Sequence, residues 1–326
     1  MRCIRWFSEK IHLTQHNNYF VMQKQISLRT HRFRGGVCVL SALCLLSVTA
    51  CTSLDQTPQP TATPQPTPPQ QPTRTTPPTR IPQPTQTLQP SLLPSLPSGS
   101  NWQLVFNDEF NDVKLDTSKW ITCLNPDWCQ NEDLLSFYQA ANVSVQSGTA
   151  KLTARREEVN GLAYTSGAIA TSETFSFTYG YLEMRAKLPK GRGLWPAFWA
   201  LRPTREWPPE LDVVEVLGHE PDTAQLHIHY VDPQAADQQG NEGTFWRGPD
   251  FSADFHTFAV DWQPGQLVWY IDGVERFRST HAPDVPLYVV ANLAVGAAHS
   301  WPGAPDETTI FPATYEIDYI RVYARR

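Results

Sequence analysis

Along the C-terminal two-thirds of the chain, apolar residues recur at every second position and almost nowhere at helical spacing. In residues 181–188, Leu182, Met184, Ala186 and Leu188 alternate with Tyr181, Glu183, Arg185 and Lys187. In residues 256–262, Phe258, Val260 and Trp262 alternate with Thr257, Ala259 and Asp261. Successive side chains of a strand point to opposite faces, so this pattern commits the segment to half-buried strands. Residues 266–271 and 274–277 flank Asp272-Gly273, a pair that readily takes the positive φ angles of a two-residue hairpin turn. Residues 287–295 and 315–323 read as further strands. There is no repeat at propeller or solenoid period. Many short strands punctuated by Gly and Pro predict an all-β fold, a sandwich or jelly roll.

Composition places the edges of that fold. Of 29 prolines, 14 fall between Asp55 and Ser100, whereas 10 of 11 tryptophans and 10 of 11 tyrosines lie after Ser100. Residues 101–326 are therefore the expected folded domain, long enough for one well-buried core. This part holds 17 Lys and Arg against 30 Asp and Glu, a net charge of −13. So acidic a domain is a poor partner for phosphate backbones, and no nucleic-acid role is expected. Outside the N-terminal region no apolar run reaches membrane-spanning length, which excludes a multi-span helical protein.

The N-terminal 51 residues read as an address. Lys24, Arg29, Arg32 and Arg34 precede an apolar run from Gly35 to Ala50, the pattern of a secretory signal. A start at Met22 would give a leader of ordinary length. Val48-Thr49-Ala50-Cys51 resembles a bacterial lipobox, which implies that Cys51 is acylated and becomes the mature N-terminus. Two or more acyl chains on one Cys anchor a protein stably. Residues 52–100 follow as a tether. Within 54–100, 14 Pro, 10 Thr and 8 Gln fill 32 of 47 positions, leaving nothing to build a core. The expected location is extracytoplasmic, on a membrane through lipid alone, as a monomer. Cys123 and Cys129, separated by five residues, are expected to close a small loop as a disulfide in this exported setting.

The chemistry concentrates in Glu210-Leu211-Asp212-Val213-Val214-Glu215. In a strand, Glu210 and Asp212 share a face, and strict alternation would send Glu215 to the other. A β-bulge near Val213–Val214 adds one residue and returns Glu215 to the face of its partners. Clustered carboxylates push their pKa values apart, so that one stays protonated while another ionises. That is what a two-carboxylate glycosidase requires. A solvated acidic edge strand is the alternative, and the apolar residues at 211, 213, 214, 216 and 217 argue for a central strand instead.

This run resembles the bulged acid signature of glycoside hydrolase family 16. Further segments agree in order, among them Tyr164-Thr-Ser166, the stretch from Gly193 to Trp199, the stretch from Asn292 to Gly296, and the stretch from Ile317 to Tyr323. The set is most similar to the laminarinase branch, endo-β-1,3-glucanases. The resemblance implies a jelly-roll sandwich of two curved antiparallel sheets, with substrate on the concave face. It implies Glu210 as nucleophile, Glu215 as acid/base and Asp212 as the acid between them that tunes the nucleophile and supports the strand geometry, in a retaining mechanism with no cofactor in the chemistry.

The resemblance also implies substrate contacts at Trp195, Trp199, Trp301, Asn131 and His229. It implies a structural calcium held by Glu109, the Gly148 carbonyl and Asp318, where carboxylates and a carbonyl suit a hard cation. His227 and His229 alternate on one strand, a weak pattern for zinc. Three departures touch the outer sugar subsites: Ala168 where similar enzymes carry Arg, Ser136-Phe137-Tyr138, and the loop from Ala297 to Ser300. The expectation is a secreted, lipid-anchored endo-β-glucanase acting on β-1,3-glucan. The alternatives are the same fold acting on mixed-linkage glucan or a galactan, and a non-catalytic carbohydrate-binding lipoprotein, which would have no need of three acids at this spacing.

Overall fold

The computed structural model describes residue 96, residues 101–232 and residues 238–326. The expected leader, the lipidated Cys51 and all of the tether except Leu96 lie outside the described residues. The strands in chain order are β1 (Trp102–Asp108), β2 (Ser136–Tyr138), β3 (Val143–Gln146), β4 (Thr149–Ala154), β5 (Tyr164–Ser166), β6 (Ala168–Ala170), β7 (Gly180–Lys187) and β8 (Leu194–Leu201). Then follow β9 (Glu210–Val216), β10 (Thr223–Val231), β11 (Gln239–Arg247), β12 (His256–Gln263), β13 (Gln266–Ile271), β14 (Val274–Ser279), β15 (Tyr288–Val295) and β16 (Ala313–Arg325). One short 3-10 turn, Ala140–Asn142, is the only helical element among the described residues.

The strands form a jelly-roll sandwich of two antiparallel sheets. The larger runs β14-β13-β12-β7-β16-β4-β3, with β1 also paired to β16, and the smaller runs β11-β10-β9-β8-β15-β6. A two-stranded parallel ribbon, β2 with β5, stands beside them. The alternation predicted for 181–188 and 256–262 appears as β7 and β12, paired in register from Trp262 opposite Gly180 to His256 opposite Ala186. Asp272 and Gly273 take φ of 51° and 73°, the left-handed pair that a two-residue hairpin needs.

The core fills the space between the sheets. Leu182, Met184, Phe258, Val260 and Trp269 come from the larger sheet, and Phe198, Leu211, Val214, Leu226 and Ile228 from the smaller. All are essentially inaccessible to solvent. Burying each of the larger side chains contributes about 1.5–3 kcal/mol. With inward positions filled this way, the other face of the smaller sheet is free to carry polar groups.

A second, smaller cluster covers one end of that face. Leu124 and Tyr138 pack onto Ala168, Ala170, Leu201, Tyr288 and Val290, with Ile121, Trp128 and Trp199 at its border. The covering loop contains the Cys123–Cys129 disulfide, formed as expected. The β6–β15–β8 end of the face is thus roofed, while the β10–β11 end has no such cover in this cluster.

Candidate active site

The bulge lies at Val213. From β8, Trp199 pairs with Asp212 and Phe198 with Val214, so the partner strand skips Val213. From β10, His227 pairs with Asp212 and Gln225 with Glu215, again with a shift of one residue. The extra residue turns Glu215 onto the face of Glu210 and Asp212. At the same place the buried Trp269 indole, reaching from the other sheet, donates a 2.8 Å hydrogen bond to the Asp212 carbonyl. That carbonyl points inward, and the bond ties the bulge to the opposite sheet.

The registers arrange the exposed face of the smaller sheet into cross-strand rows, each containing one acid. Glu215 lies between Ala197 and Gln225, Asp212 between Trp199 and His227, and Glu210 between Leu201 and His229. The rows continue on β15 to Asn292, Val290 and Tyr288, and on β11 to Phe245, Gly243 and Asn241. Ala197 beside Glu215 leaves room where a larger side chain would fill the cleft.

The three acids crowd one another. A carboxylate oxygen of Asp212 lies within 4.8 Å of one on Glu210 and, likewise, of one on Glu215. Burial raises the Glu215 pKa well above the usual range, and repulsion from Asp212 and Glu210 adds to it. The Trp195 indole N–H faces this carboxyl and offsets part of the rise, without completing a hydrogen bond. Asp212 is raised by burial and by Glu210, and its Oδ2 has no hydrogen-bond partner. Glu210 is raised by burial, but His229 and a hydrogen bond from Trp207 pull it back. Trp207 Nε1 donates to Glu210 Oε2 at 3.0 Å. His229 Nε2 stands 3.8 Å from Glu210 Oε1 and 3.4 Å from Asp212 Oδ2. The asymmetry favours Glu210 as the carboxylate that ionises and Glu215 as the one that keeps its proton.

Both histidines are neutral near neutral pH. Burial lowers His229 against the pull of Glu210, and burial together with His229 brings His227 down to about 4. Two groupings among the described residues could hold a cation, Glu210–Asp212–His229 and Asp212–Glu215–His227. Both are built from the acids themselves, so a divalent cation there would compete with the proton and with the sugar.

Two adjoining cavities meet at Glu210 and Trp128. The first, about 540 Å³, is lined by Trp195, Trp199, Asn131, Asn292 and Glu215 as well. The second, about 900 Å³, adds Trp207, Tyr288 and Arg205. Trp195, Trp199 and Asn131 thus share the first cavity with Glu210 and Glu215, while His229 lines neither cavity and stands beside Glu210 and Asp212. Trp301 does not line either cavity, but its ring meets Trp195 edge-on at 5.5 Å. Trp199 Nε1 donates to Asn292 Oδ1 at 2.7 Å, and Asn292 Nδ2 donates to the Tyr138 hydroxyl at 3.0 Å. That chain fixes the Trp199 ring. Trp128, Trp207, Asn292 and Tyr138 were not assigned to the site from sequence. Trp128 sits inside the cystine loop and Trp207 directly precedes Pro-Pro-Glu210, and those positions were the available signals.

The expected calcium ligands are arranged differently. Glu109 accepts two hydrogen bonds from Arg321, at 2.9 and 2.6 Å. Asp318 is paired with Arg185 at 2.6 Å. Gly148, at φ 75°, lies next to Asn111. Burial would raise the Glu109 pKa, but the bonds from Arg321 and Asn107 lower it overall. Each carboxylate already has a guanidinium as its cation, so as they stand these residues do not fit a calcium ion.

The description "Glycosyl hydrolases family 16" matches residues 130–321, a span that includes all three acids. A second description, of the beta-glucan synthesis-associated proteins SKN1/KRE6/Sbg1, matches residues 34–203 and ends before Glu210. The chain is 34% identical over 266 residues to glucan endo-1,3-beta-glucosidase A1 of Niallia circulans, covering 71% of this chain and 39% of that protein. It is 34% identical over 250 residues to a beta-glucanase of Rhodothermus marinus, covering 68% of this chain and 85% of that protein. Among solved structures, the catalytic domain of an endo-1,3-beta-glucanase (laminarinase) from Thermotoga petrophila RKU-1 aligns with a TM-score of 0.62 at 34% identity, over 70% of this chain and 100% of that one. The match to the Niallia relative spans well under half of that protein's length.

Proposed function

The chain belongs to glycosyl hydrolases family 16 and is a glycoside hydrolase. From that premise we propose that it hydrolyses β-1,3-glucan within the chain, by a retaining double displacement. The observation that carries the reading is the Val213 bulge, which sets three carboxylates on one face beside the cleft tryptophans. The catalytic roles follow from their surroundings. Glu210, pulled toward ionisation by the hydrogen bond from Trp207, attacks the anomeric carbon. The bond from that carbon to the bridging oxygen breaks, and the oxygen takes the proton that Glu215 has kept. Water then gives a proton to Glu215 and its oxygen to the anomeric carbon, and the bond to Glu210 breaks. Asp212 stands between the two and adds to the rise of the Glu215 pKa. Indole faces at Trp195 and Trp199 suit the C–H faces of glucose, and Asn131 lies within reach of the same cleft.

The domain would act at the end of a membrane tether: Cys51 lipidated, residues 52–100 as spacer, residues 101–326 as the catalytic head. The basic run, the apolar run and the lipobox-like Val48-Thr49-Ala50-Cys51 support this. Cys51→Ser should move the protein into the soluble fraction, and persistence on membranes after a salt wash would count against the anchor. The activity is tested by incubating the protein with β-1,3-glucan, mixed-linkage glucan and galactans. Internal cleavage of β-1,3-glucan with the β-anomer appearing first by NMR is expected. The α-anomer first would remove the nucleophile role from Glu210.

A further inference from the structure

Phe245 has no part in the reading above, yet it stands in the row of the proposed proton donor. Glu215 pairs with Gln225, and Gln225 pairs with Phe245. Neighbouring strands lie about 4.8 Å apart, so Phe245 is roughly 9–10 Å from Glu215 across the same face. It is a large apolar side chain left 53% exposed. Its strand alternates, with Phe245, Gly243 and Asn241 on the site face and Trp246 turned toward the core cluster. The His227 ring meets Phe245 edge-on at 5.6 Å and braces it. Between them the floor is kept low by Gly243, where a Cβ would come within 2.0 Å of His227 Cδ2. Along the row, the Gln225 carboxamide oxygen has no hydrogen-bond partner.

A braced ring with an open face, set beside polar groups and continuous with a sugar cleft, is built to stack a pyranose ring. The end of the chain it serves follows from the chemistry. The sugar bound covalently to Glu210 must be held through two steps, which suits the roofed tryptophan end. The departing sugar must leave before water enters, which suits the open end. Glu215 gives its proton to the oxygen of that departing sugar. Resting on the hydrolase reading above, the geometry points to Phe245 as the stacking platform for the leaving-group side of a β-glucan chain. It sets the preference for long substrates.

The test compares the full-length protein with Phe245→Ala and Phe245→Trp on two substrates. One is soluble β-1,3-glucan. The other is a nitrophenyl β-1,3-glucobioside, whose small leaving group stops short of β11. For Phe245→Ala, kcat/KM on the glucan should fall roughly three- to tenfold, carried by KM. The aryl glycoside should be cleaved at the wild-type rate, and Phe245→Trp should restore the glucan value. An unchanged glucan kcat/KM, or an equal loss on both substrates, overturns the assignment. Wild-type protein that cleaves neither substrate overturns instead the hydrolase reading beneath it.

Discussion

Acidic residues stand outward on both sheets, in opposite company. On the larger sheet Glu109 is held by Arg321, Asp318 by Arg185 and Asp261 by Arg325. Glu183, fully buried, accepts from the hydroxyls of Tyr319 and Tyr181. On the smaller sheet, among the described residues, no Lys or Arg forms an ion pair with Glu210, Asp212 or Glu215; two histidines stand beside them, His229 near Glu210 and Asp212, and His227 near Asp212 and Glu215. Both arrangements bury carboxyl groups, which is costly unless compensated. The larger sheet offsets part of that cost: Arg321 holds Glu109 below the usual carboxylate range, while burial still raises Asp261 against the pull of Arg325 and Glu183 against its two tyrosines. The smaller sheet leaves it uncompensated, and the cost appears as raised pKa values, which a proton donor at neutral pH requires.

The sharpest way to break the comparison is to neutralise the acids one at a time. Glu210→Gln and Glu215→Gln should each lower turnover on β-1,3-glucan by on the order of 10²–10⁴ or more, since each removes one half of the proposed acid–nucleophile pair. Glu109→Gln, the same change on the other sheet, should leave turnover at 25 °C near wild type. Initial rates on purified protein, with circular dichroism to confirm the fold, decide this. Near wild-type turnover by either site variant would falsify the catalytic assignment.

Stability should move with the opposite sign on the two faces. Glu215 has its pKa raised in the folded state, so its favourable contribution is complete below the ordinary carboxylate pKa. That contribution is lost as pH rises through the raised value. Glu215→Gln should therefore be more stable than wild type at about pH 7, by about 0.5–2 kcal/mol. Each kcal/mol is about 2–4 °C in Tm for a domain of this size. The gain should close toward about pH 4. Glu109 has its pKa lowered, so it stabilises above the ordinary value and ceases to as pH falls through the lowered one. Glu109→Gln leaves Arg321, which is 11% exposed, without its counter-charge, and should cost about 1–3 kcal/mol at neutral pH. Melting curves at two pH values test both, and a loss of stability in Glu215→Gln at neutral pH would contradict the account of the site face.

Much of this was legible in the sequence, for local reasons. Alternation in 181–188 and 256–262 fixed strands because one face of each is buried. The spacing of Glu210, Asp212 and Glu215 within a β-branched run required a bulge, and the bulge is there. β11 was not visible, because Gln-Gly-Asn-Glu-Gly-Thr-Phe-Trp-Arg is an edge strand with only Trp246 of its residues packed on the core. Phe245 therefore reads as an isolated aromatic until its pairing with Gln225 is known. The partner of Glu109 was equally hidden. Arg321 is 212 residues away, and nothing local distinguishes a carboxylate that meets an arginine from one that meets a metal.

That last pair also gives the smallest expected effect. A calcium ion at Glu109 and Asp318 would have to displace Arg321 and Arg185, or sit beside them and meet their charge. Each guanidinium already supplies what the cation would, with directional bonds that also hold β1 to β16 and β7 to β16. EDTA should therefore leave Tm within about 1 °C, and so should added calcium. Were the two arginines to swing aside and the carboxylates to close on an ion, calcium at one hundred times its Kd would add about 2.7 kcal/mol. At this chain length that is on the order of 5–10 °C. A chelation-induced fall of that size, reversed by calcium and absent in Asp318→Asn, would show that the larger sheet holds Glu109 and Asp318 with a metal rather than with guanidinium groups.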